Sequence, residues 1–370
     1  MRTRSKIALG VLALLAALIV VKHAVKLGEQ EPGNLSSSST SSSLQSEVTS
    51  SKPQTFSLKA GTYDQEISFD GEDRQYRVHV PSSYTTASPM PVVIAFHGGG
   101  GDIESAVRSM QWDETADANG FIAVYPQGTG KSLLGKIFGT WNGGICCGLA
   151  VQNKVDDVGF TRAMLDQLSK DFHVDQKRVY ATGISNGGMM SYRLACDLSD
   201  RIAAIGPVAG QFDGGQNCDM ERPVPILHLH GLADPCTKME GGTCGGCFND
   251  YLKALRIPAE KNDTWQCTSV ESTVATWARR NGCSQQTSVV SNKNGVKCIS
   301  YDCSASATTE LCTIEEMGHQ WPGGDNEAPS CKTKPNGLVC REWKNTVGPE
   351  SDALSANDAL WSFFKAHPMK

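Results

Sequence analysis

The stretch Val179-Tyr180-Ala181-Thr182-Gly183-Ile184-Ser185-Asn186-Gly187-Gly188-Met189-Met190 reads as an apolar strand, a sharp turn centred on a serine, and the start of a helix. This is the layout of a G-x-S-x-G nucleophile elbow. A strand-to-helix turn this tight crowds the neighbouring backbone, so glycines stand where side chains would find no room. The serine is left at the end of a sheet, beside the positive end of the following helix. Glycine-rich chains also carry such pentapeptides by chance. The meaning of this one depends on a base, an orienting acid and an oxyanion site elsewhere in the chain.

Those partners are present, in order. Upstream, the continuous apolar run Pro91-Val92-Val93-Ile94-Ala95-Phe96 opens into His97-Gly98-Gly99-Gly100-Gly101, a buried strand running into a glycine loop. Acyl transfer needs backbone N–H donors aimed at the oxygen of the tetrahedral intermediate. The N–H of Asn186 is expected as one donor, and that of Gly99 or Gly98 as the other. Downstream, Pro225-Ile226-Leu227-His228-Leu229-His230-Gly231 is a further strand, followed by Leu232-Ala233-Asp234-Pro235. Asp234 is therefore placed to accept a hydrogen bond from an imidazole; read alone, Asp-Pro would be an ordinary turn opener. Beyond the apolar stretch Leu311-Cys312-Thr313-Ile314 comes Met317-Gly318-His319-Gln320-Trp321-Pro322-Gly323-Gly324, which puts a histidine in a glycine- and proline-rich loop. The chain order Ser…Asp…His is the hydrolase order. Ser185, Asp234 and His319 are the expected catalytic residues, with Asp213 the next candidate for the acid.

The remaining chemistry-bearing residues have plainer readings. His79 alternates with apolar residues and falls on the wet face of a strand. His228 and His230 flank Leu229 and share one face, which suits strand-end packing and supporting hydrogen bonds better than a metal. His97 is expected to anchor the oxyanion loop. Trp141 and Trp321 are expected as substrate-binding residues that stack on a sugar ring or an aromatic acyl group, Trp321 for its nearness to His319, with ordinary packing of large aromatics the alternative. Cys244-Gly245-Gly246-Cys247 invites a zinc or redox reading, but no second C-x-x-C or histidine pair follows at metal spacing. Disulfides are the expectation there, with no metal and no organic cofactor.

From about residue 60 to 367 the chain resembles the secreted α/β-hydrolase esterases that include feruloyl esterases and polyhydroxybutyrate depolymerase-like proteins. The resemblance rests on Arg74-Gln75-Tyr76-Arg77-Val78-His79-Val80-Pro81, the loop from His97 to Gly101, Trp141-Asn142-Gly143-Gly144 with Cys146-Cys147-Gly148, and Val155-Asp156-Asp157-Val158-Gly159-Phe160. It extends to the Ser185 elbow, His230-Gly231 with Asp234, the segment from Gly318 to Gly324, and the closing stretch Ser355-Ala356-Asn357-Asp358-Ala359-Leu360-Trp361. The resemblance implies a serine esterase without fixing the acyl group. A cysteine-rich insertion, about 236–267, departs from the family pattern beside Asp234 and is expected to reshape one wall of the cleft.

Composition agrees with an enzyme outside the cytosol. The 14 cysteines are an even set, favouring disulfides in an oxidising compartment; adjacent Cys146 and Cys147 are expected to bond to different partners. The net charge of −5 gives no footing for nucleic-acid binding. Arg2, Arg4 and Lys6 precede an apolar run from Ile7 to Val21. As a helix that run spans about 22 Å, short of the roughly 30 Å hydrocarbon core. Segment 1–28 is thus read as a cleaved signal peptide or, with snorkelling lysines, as a membrane tether. Residues 29–55 are a Ser/Thr-rich linker too polar to build a core. Asn34-Leu35-Ser36 and Asn262-Asp263-Thr264 fit the glycosylation sequon.

Residues 56–370 form the catalytic domain. Segments 65–69 and 76–80 read as an antiparallel hairpin. Segments 92–96, 122–125, 179–183, 203–208 and 226–230 read as parallel strands, with a helix over 158–172 burying Phe160, Met164, Leu165 and Leu168. The fold class is α/β, a doubly wound and mostly parallel sheet with its site at the C-terminal strand edge. The leading expectation is an exported carboxylesterase for hydroxycinnamate or acetyl esters of plant-wall polysaccharide. A polyester depolymerase is the alternative, and an inactive fold serving carbohydrate binding or adhesion is the rival from another class.

Overall fold

The computed structural model describes residues 56–133, 136–215, 218–244, 247–256 and 265–370. The expected N-terminal segment, the linker and both sequons lie outside these residues. Among the described residues no helix is long and apolar enough to cross a membrane.

A ten-stranded sheet carries the fold. Its strands are β1 (Gly61–Phe69), β2 (Glu72–Val80), β3 (Met90–Phe96), β4 (Ile122–Pro126) and β5 (Val174–Ile184). They continue as β6 (Ala204–Val208), β7 (Ile226–Gly231), β8 (Thr287–Lys293), β9 (Val296–Tyr301) and β10 (Thr309–Ile314). The order across the sheet is β1-β2-β4-β3-β5-β6-β7-β10-β9-β8. Strands β4, β3, β5, β6, β7 and β10 run parallel to one another. The β1–β2 hairpin closes one edge antiparallel to β4, as the alternating pattern from residue 65 to 80 anticipates. The other edge carries the antiparallel pair β9 and β8, which the sequence reading did not foresee. Its signal was weak: β8 is exposed along almost its whole length, so it has no buried stripe to mark it.

Continuous apolar runs form the middle strands because both faces of the sheet are covered. On β3 the side chains of Val92, Ile94 and Phe96 join one core, while Val93 and Ala95 join the other. The first face is packed by helix α3 (Asp157–Asp171) through Phe160, Met164, Leu165 and Leu168, one residue out of step with the expected span. Helix α4 (Asn186–Asp197) joins it through Tyr192, Leu194 and Ala195. The opposite face is packed by α1 (Ile103–Met110), α2 (Trp112–Asn119) and the closing helix α7 (Ala356–Ala366). Between α4 and α7 lie α5 (Val270–Arg280) and α6 (Leu338–Val347). With its helices on both faces and its functional loops at one sheet edge, the chain has the α/β-hydrolase fold.

All 14 cysteines are paired. Six bridges close short loops, with partners 9 to 23 residues apart. Cys298–Cys312 links β9 to β10, and Cys283–Cys303 ties the start of that edge. The expectation for Cys146 and Cys147 is corrected: they bond to each other. Every other cysteine is held by a local partner, and the loop here folds back on itself through Gly143 N–H to the Cys146 carbonyl and Cys147 N–H to the Trp141 carbonyl. Neither half of Cys244-Gly245-Gly246-Cys247 pairs with the other. Cys244 bonds to Cys267 and Cys247 to Cys236, so the insertion is a disulfide-stapled subunit of the domain rather than a thiolate site.

The edge hairpin is fastened by a buried ion pair. Arg74 Nη2 on β2 donates to Asp157 Oδ1 on α3 at 2.7 Å, and Asp157 Oδ2 accepts the Asn142 N–H at 2.8 Å. Removing the carboxylate would strand a buried guanidinium. Asp157→Ala is therefore expected to lower unfolding stability by about 3 kcal/mol in chemical denaturation, far more than a surface change would. A loss below about 1 kcal/mol would contradict this anchoring role.

Candidate active site

Three of the parallel strands deliver the candidate residues at their C-terminal ends, and a fourth delivers the glycine loop. β5 ends at Ile184, and Ser185 stands in the turn to α4 with φ 57° and ψ −122°. That is backbone an L-residue holds only under constraint from its surroundings. The constraint is visible at Gly187, where an added Cβ would lie 2.2 Å from the Phe96 carbonyl oxygen and 2.6 Å from that of His97. At Gly210 a Cβ would lie 2.0 Å from the Ser185 carbonyl oxygen. The elbow is thus wedged between the end of β3 and the loop after β6.

The glycine loop lies directly against it. A Cβ at Gly98 would sit 3.6 Å from Ser185 Cβ, and one at Gly99 would sit 3.6 Å from Asn186 Cβ. Asn186 is the first residue of α4, so its N–H has no intrahelical acceptor. The loop is held in shape by several bonds. Gly100 N–H donates to the Gly139 carbonyl and Gly139 N–H to that of Gly101, and His97 ties the rest. His97 Nε2 accepts the Gly128 N–H at 3.0 Å, which leaves its proton on Nδ1 to donate to the Gly98 carbonyl at 2.8 Å. Full burial pushes this imidazole's pKa down to about 4, so it stays neutral and keeps that one tautomer.

β7 ends at Gly231, and the chain turns through Asp234. Asp234 Oδ1 accepts the N–H groups of Cys236 at 2.7 Å and Thr237 at 2.8 Å. His319 follows β10 and donates from Nδ1 to Asp234 Oδ2 at 2.8 Å. Its own N–H is fixed on the Val347 carbonyl, so the loop cannot swing freely. Burial pushes the Asp234 carboxyl up, but the charge and hydrogen bond of His319, with His230 and the Thr237 N–H, bring it below the ordinary carboxylate value. The carboxylate is therefore ionised and directed at the imidazole. With Nδ1–H committed to it, a neutral His319 carries its lone pair on Nε2. An imidazole so oriented can take a proton from a serine hydroxyl.

Asp234, Cys236 and His319 bring three ligand-type atoms within 4.8 Å of one another. Cys236 is bonded to Cys247, however, and offers no thiolate. Asp213, the reserve acid, caps the Gly215 N–H in a separate turn.

The two tryptophans are a correction. Trp141 is 0% exposed and Trp321 1%, so neither offers a ring face to a substrate. Trp141 packs edge-on against Phe96 and donates Nε1–H to the His97 carbonyl at 2.9 Å. Asn186 clasps its backbone, with Oδ1 accepting Trp141 N–H at 2.7 Å and Nδ2 donating to the carbonyls of Trp141 and Cys146 at 3.0 Å. Trp141 thus bridges the elbow to the glycine loop. Trp321 packs against Trp112 and donates to Asn357 Oδ1 at 2.9 Å, pinning the loop beyond His319 to α7. Sequence reasoning singled out the Asn186 backbone and missed the part its side chain plays in holding Trp141. It also missed Thr237, although a Thr three residues after an Asp-Pro is a legible turn partner.

The chain is similar to several known proteins. The Prolyl oligopeptidase family matches residues 109–221, which include the elbow. Feruloyl esterase B of Piromyces equi is 31% identical over 252 residues, covering 66% of this chain and 42% of that protein. The bifunctional acetylxylan esterase/xylanase XynS20E of Neocallimastix patriciarum is 29% identical over 211 residues, covering 56% of this chain and 28% of that one. The chain therefore spans less than half the length of these two relatives. The putative esterase NocK of Nocardia uniformis subsp. tsuyamanensis is 26% identical over 72% of this chain and 75% of its own. Among solved structures, the acetyl xylan esterase from Aspergillus awamori aligns with a TM-score of 0.49 at 15% identity, covering 70% of this chain and 94% of that one. The resemblance to esterases that include the feruloyl esterases, read from the motifs, is borne out by these relatives, which add an acetylxylan esterase.

The elbow's backbone makes a stability prediction. Ser185→Gly relieves the positive φ, whereas Ser185→Ala keeps it. The glycine variant is expected to be more stable than the alanine variant by about 1 kcal/mol in thermal or chemical unfolding. Equal stabilities would show that the turn is not under strain.

Proposed function

We propose that this protein is an exported serine esterase acting on hydroxycinnamate or acetyl esters of plant-wall polysaccharide. The observation that carries the reading is the 2.8 Å hydrogen bond from His319 to the buried Asp234, in a domain whose glycine loop packs against the Ser185 elbow. The relatives named feruloyl and acetylxylan esterase support the substrate class. Export is supported by the paired cysteines, which persist in oxidising compartments.

In this reading Ser185 Oγ attacks the ester carbonyl while His319 Nε2 takes its proton. Asp234 holds the imidazole by Nδ1–H and stabilises the imidazolium that forms. The N–H groups of Asn186 and of Gly99 or Gly98 receive the oxyanion; losing one such donor typically costs about 3 kcal/mol of transition-state stabilisation. His319 then protonates the departing alcohol oxygen, the C–O bond breaks, and an acyl-enzyme remains. Water, deprotonated by the same imidazole, attacks the acyl carbon and releases the acid and the free serine. Each step uses side chains and backbone of this chain.

Turnover of feruloylated xylan fragments, acetylated xylan and hydroxybutyrate oligomers by the purified chain and by Ser185→Ala tests the reading. The expected outcome is hydrolysis of the polysaccharide esters, with a fall of at least about a thousandfold in the variant. Clear preference for the hydroxybutyrate oligomers would reassign the protein as a polyester depolymerase. Equal turnover by the two proteins would remove Ser185 from the chemistry and leave the fold as a binding module.

A further inference from the structure

Next to the acid, the core contains a column of polar side chains that the proposed chemistry does not use. Tyr192 on α4 and His228 and His230 on β7 are all fully buried. The Tyr192 hydroxyl lies 2.8 Å from His228 Nδ1, His228 Nε2 lies 3.0 Å from His230 Nδ1, and His230 Nε2 lies 2.6 Å from the Thr237 carbonyl oxygen. Leucines would fill the same space without desolvating two imidazoles and a phenol.

The chemistry of the last acceptor fixes every proton in the column. A carbonyl oxygen only accepts, so His230 Nε2 carries hydrogen. Burial lowers the pKa of both imidazoles, holding them neutral with one ring proton each. His230 Nδ1 is then bare and must accept from His228 Nε2–H. His228 Nδ1 is bare in turn and accepts the Tyr192 O–H. All three bonds point the same way, with their positive ends toward the acid. The column ends with His230 Nε2 3.7 Å from Asp234 Oδ2.

Its terminus, Thr237, is the residue that grips the acid. Thr237 donates its N–H to Asp234 Oδ1, and its hydroxyl lies 2.9 Å from Asp234 Oδ2, 2.8 Å from the Ala209 carbonyl and 3.2 Å from His319 Nδ1. At the other end Tyr192 belongs to the helix that begins at the nucleophile, and it stacks on Trp277 of α5. The charged and titratable groups that bear on the column are Asp234, His319 and Glu240.

We propose that Tyr192, His228 and His230 are positioning residues for the acid: the column holds the Thr237 turn in register with the nucleophile's helix and directs the Asp234 carboxylate at His319. The proposal rests on the esterase reading above. A loosened column leaves Asp234 less able to stabilise the imidazolium formed in the transition state. The loss then falls on kcat rather than KM, because the substrate touches none of these side chains.

The test uses the full chain with a 4-nitrophenyl ester and methyl ferulate, and with a fluorophosphonate titration to count working sites. Tyr192→Phe keeps the ring stacks and removes only the hydroxyl. His228→Leu breaks the column, whereas His228→Gln retains one donor and one acceptor. Per titrated site, kcat is expected to fall about threefold in Tyr192→Phe and about tenfold in His228→Leu, with KM within about twofold of the wild type. The acid limb of the kcat/KM profile should move to lower pH in both, and His228→Gln should recover most of the loss. Wild-type kcat per site and a wild-type pH profile in Tyr192→Phe would overturn the proposal, even if His228→Leu fails to fold. A loss explained wholly by fewer titrated sites would overturn it as well, by reducing the column to a packing role. A wild-type protein inert to both esters and phosphonate would overturn the esterase reading itself, and the column's role with it.

Discussion

A side chain held at φ 57° at the end of β5 is the constraint on which the rest of the molecule depends. Ser185 can stay there only because backbone closes on it from both sides. Phe96 and His97 press from β3, and Gly210 presses from the loop after β6. Those neighbours are themselves strand ends of one parallel sheet, so the elbow requires β3, β5 and β6 to be adjacent and in register. The same crowding brings the glycine loop against Asn186 and places the first N–H groups of α4 beside it. Strain at one residue is thus supported by the hydrogen bonds and apolar cores of the whole sheet.

Around the elbow, polar groups act as fasteners rather than as contacts for solvent. Trp141 joins the elbow to the glycine loop through the His97 carbonyl and the Asn186 side chain. His97 joins that loop to Gly128. Thr237 and the insertion's first disulfide hold the turn that carries Asp234, while Val347 at the end of α6 holds His319. The cysteine-rich insertion begins at this turn, and its Tyr251 packs edge-on against Trp343 of α6. It therefore supports the acid and the histidine loop together. Trp141, Asn186, His97 and Thr237 are buried and hydrogen-bonded, which is the condition under which polar groups add rigidity.

Much of this was legible in the sequence, for identifiable reasons. Strand ends show themselves as apolar runs breaking into glycine, and the order of Ser185, Asp234 and His319 along the chain marks the hydrolase arrangement. The Phe160, Met164, Leu165 and Leu168 stripe marked α3. What remained hidden was pairing across distance. Nothing in the spacing of Cys146 and Cys147 shows that they bond to each other. The edge strand β8 buries neither face, so it carries no period for a reader to detect. Trp141 and Trp321 were legible as large aromatics near the site, but whether a ring faces a cleft or a core depends on elements far away in sequence. His228 and His230 showed their common face without showing that Tyr192, 36 residues before His228, completes the line.

The central claim is that Ser185, His319 and Asp234 act as one unit that makes Ser185 a covalent nucleophile. Trapping the intermediate tests it most directly. The full chain is mixed with an activated ester of ferulic acid, quenched in acid, and digested for peptide mass spectrometry. The account predicts one acyl adduct, on Ser185, and none when Asp234→Ala or His319→Ala is treated identically within the same time. An adduct on another residue, or one that forms on Ser185 equally fast without His319, would contradict it.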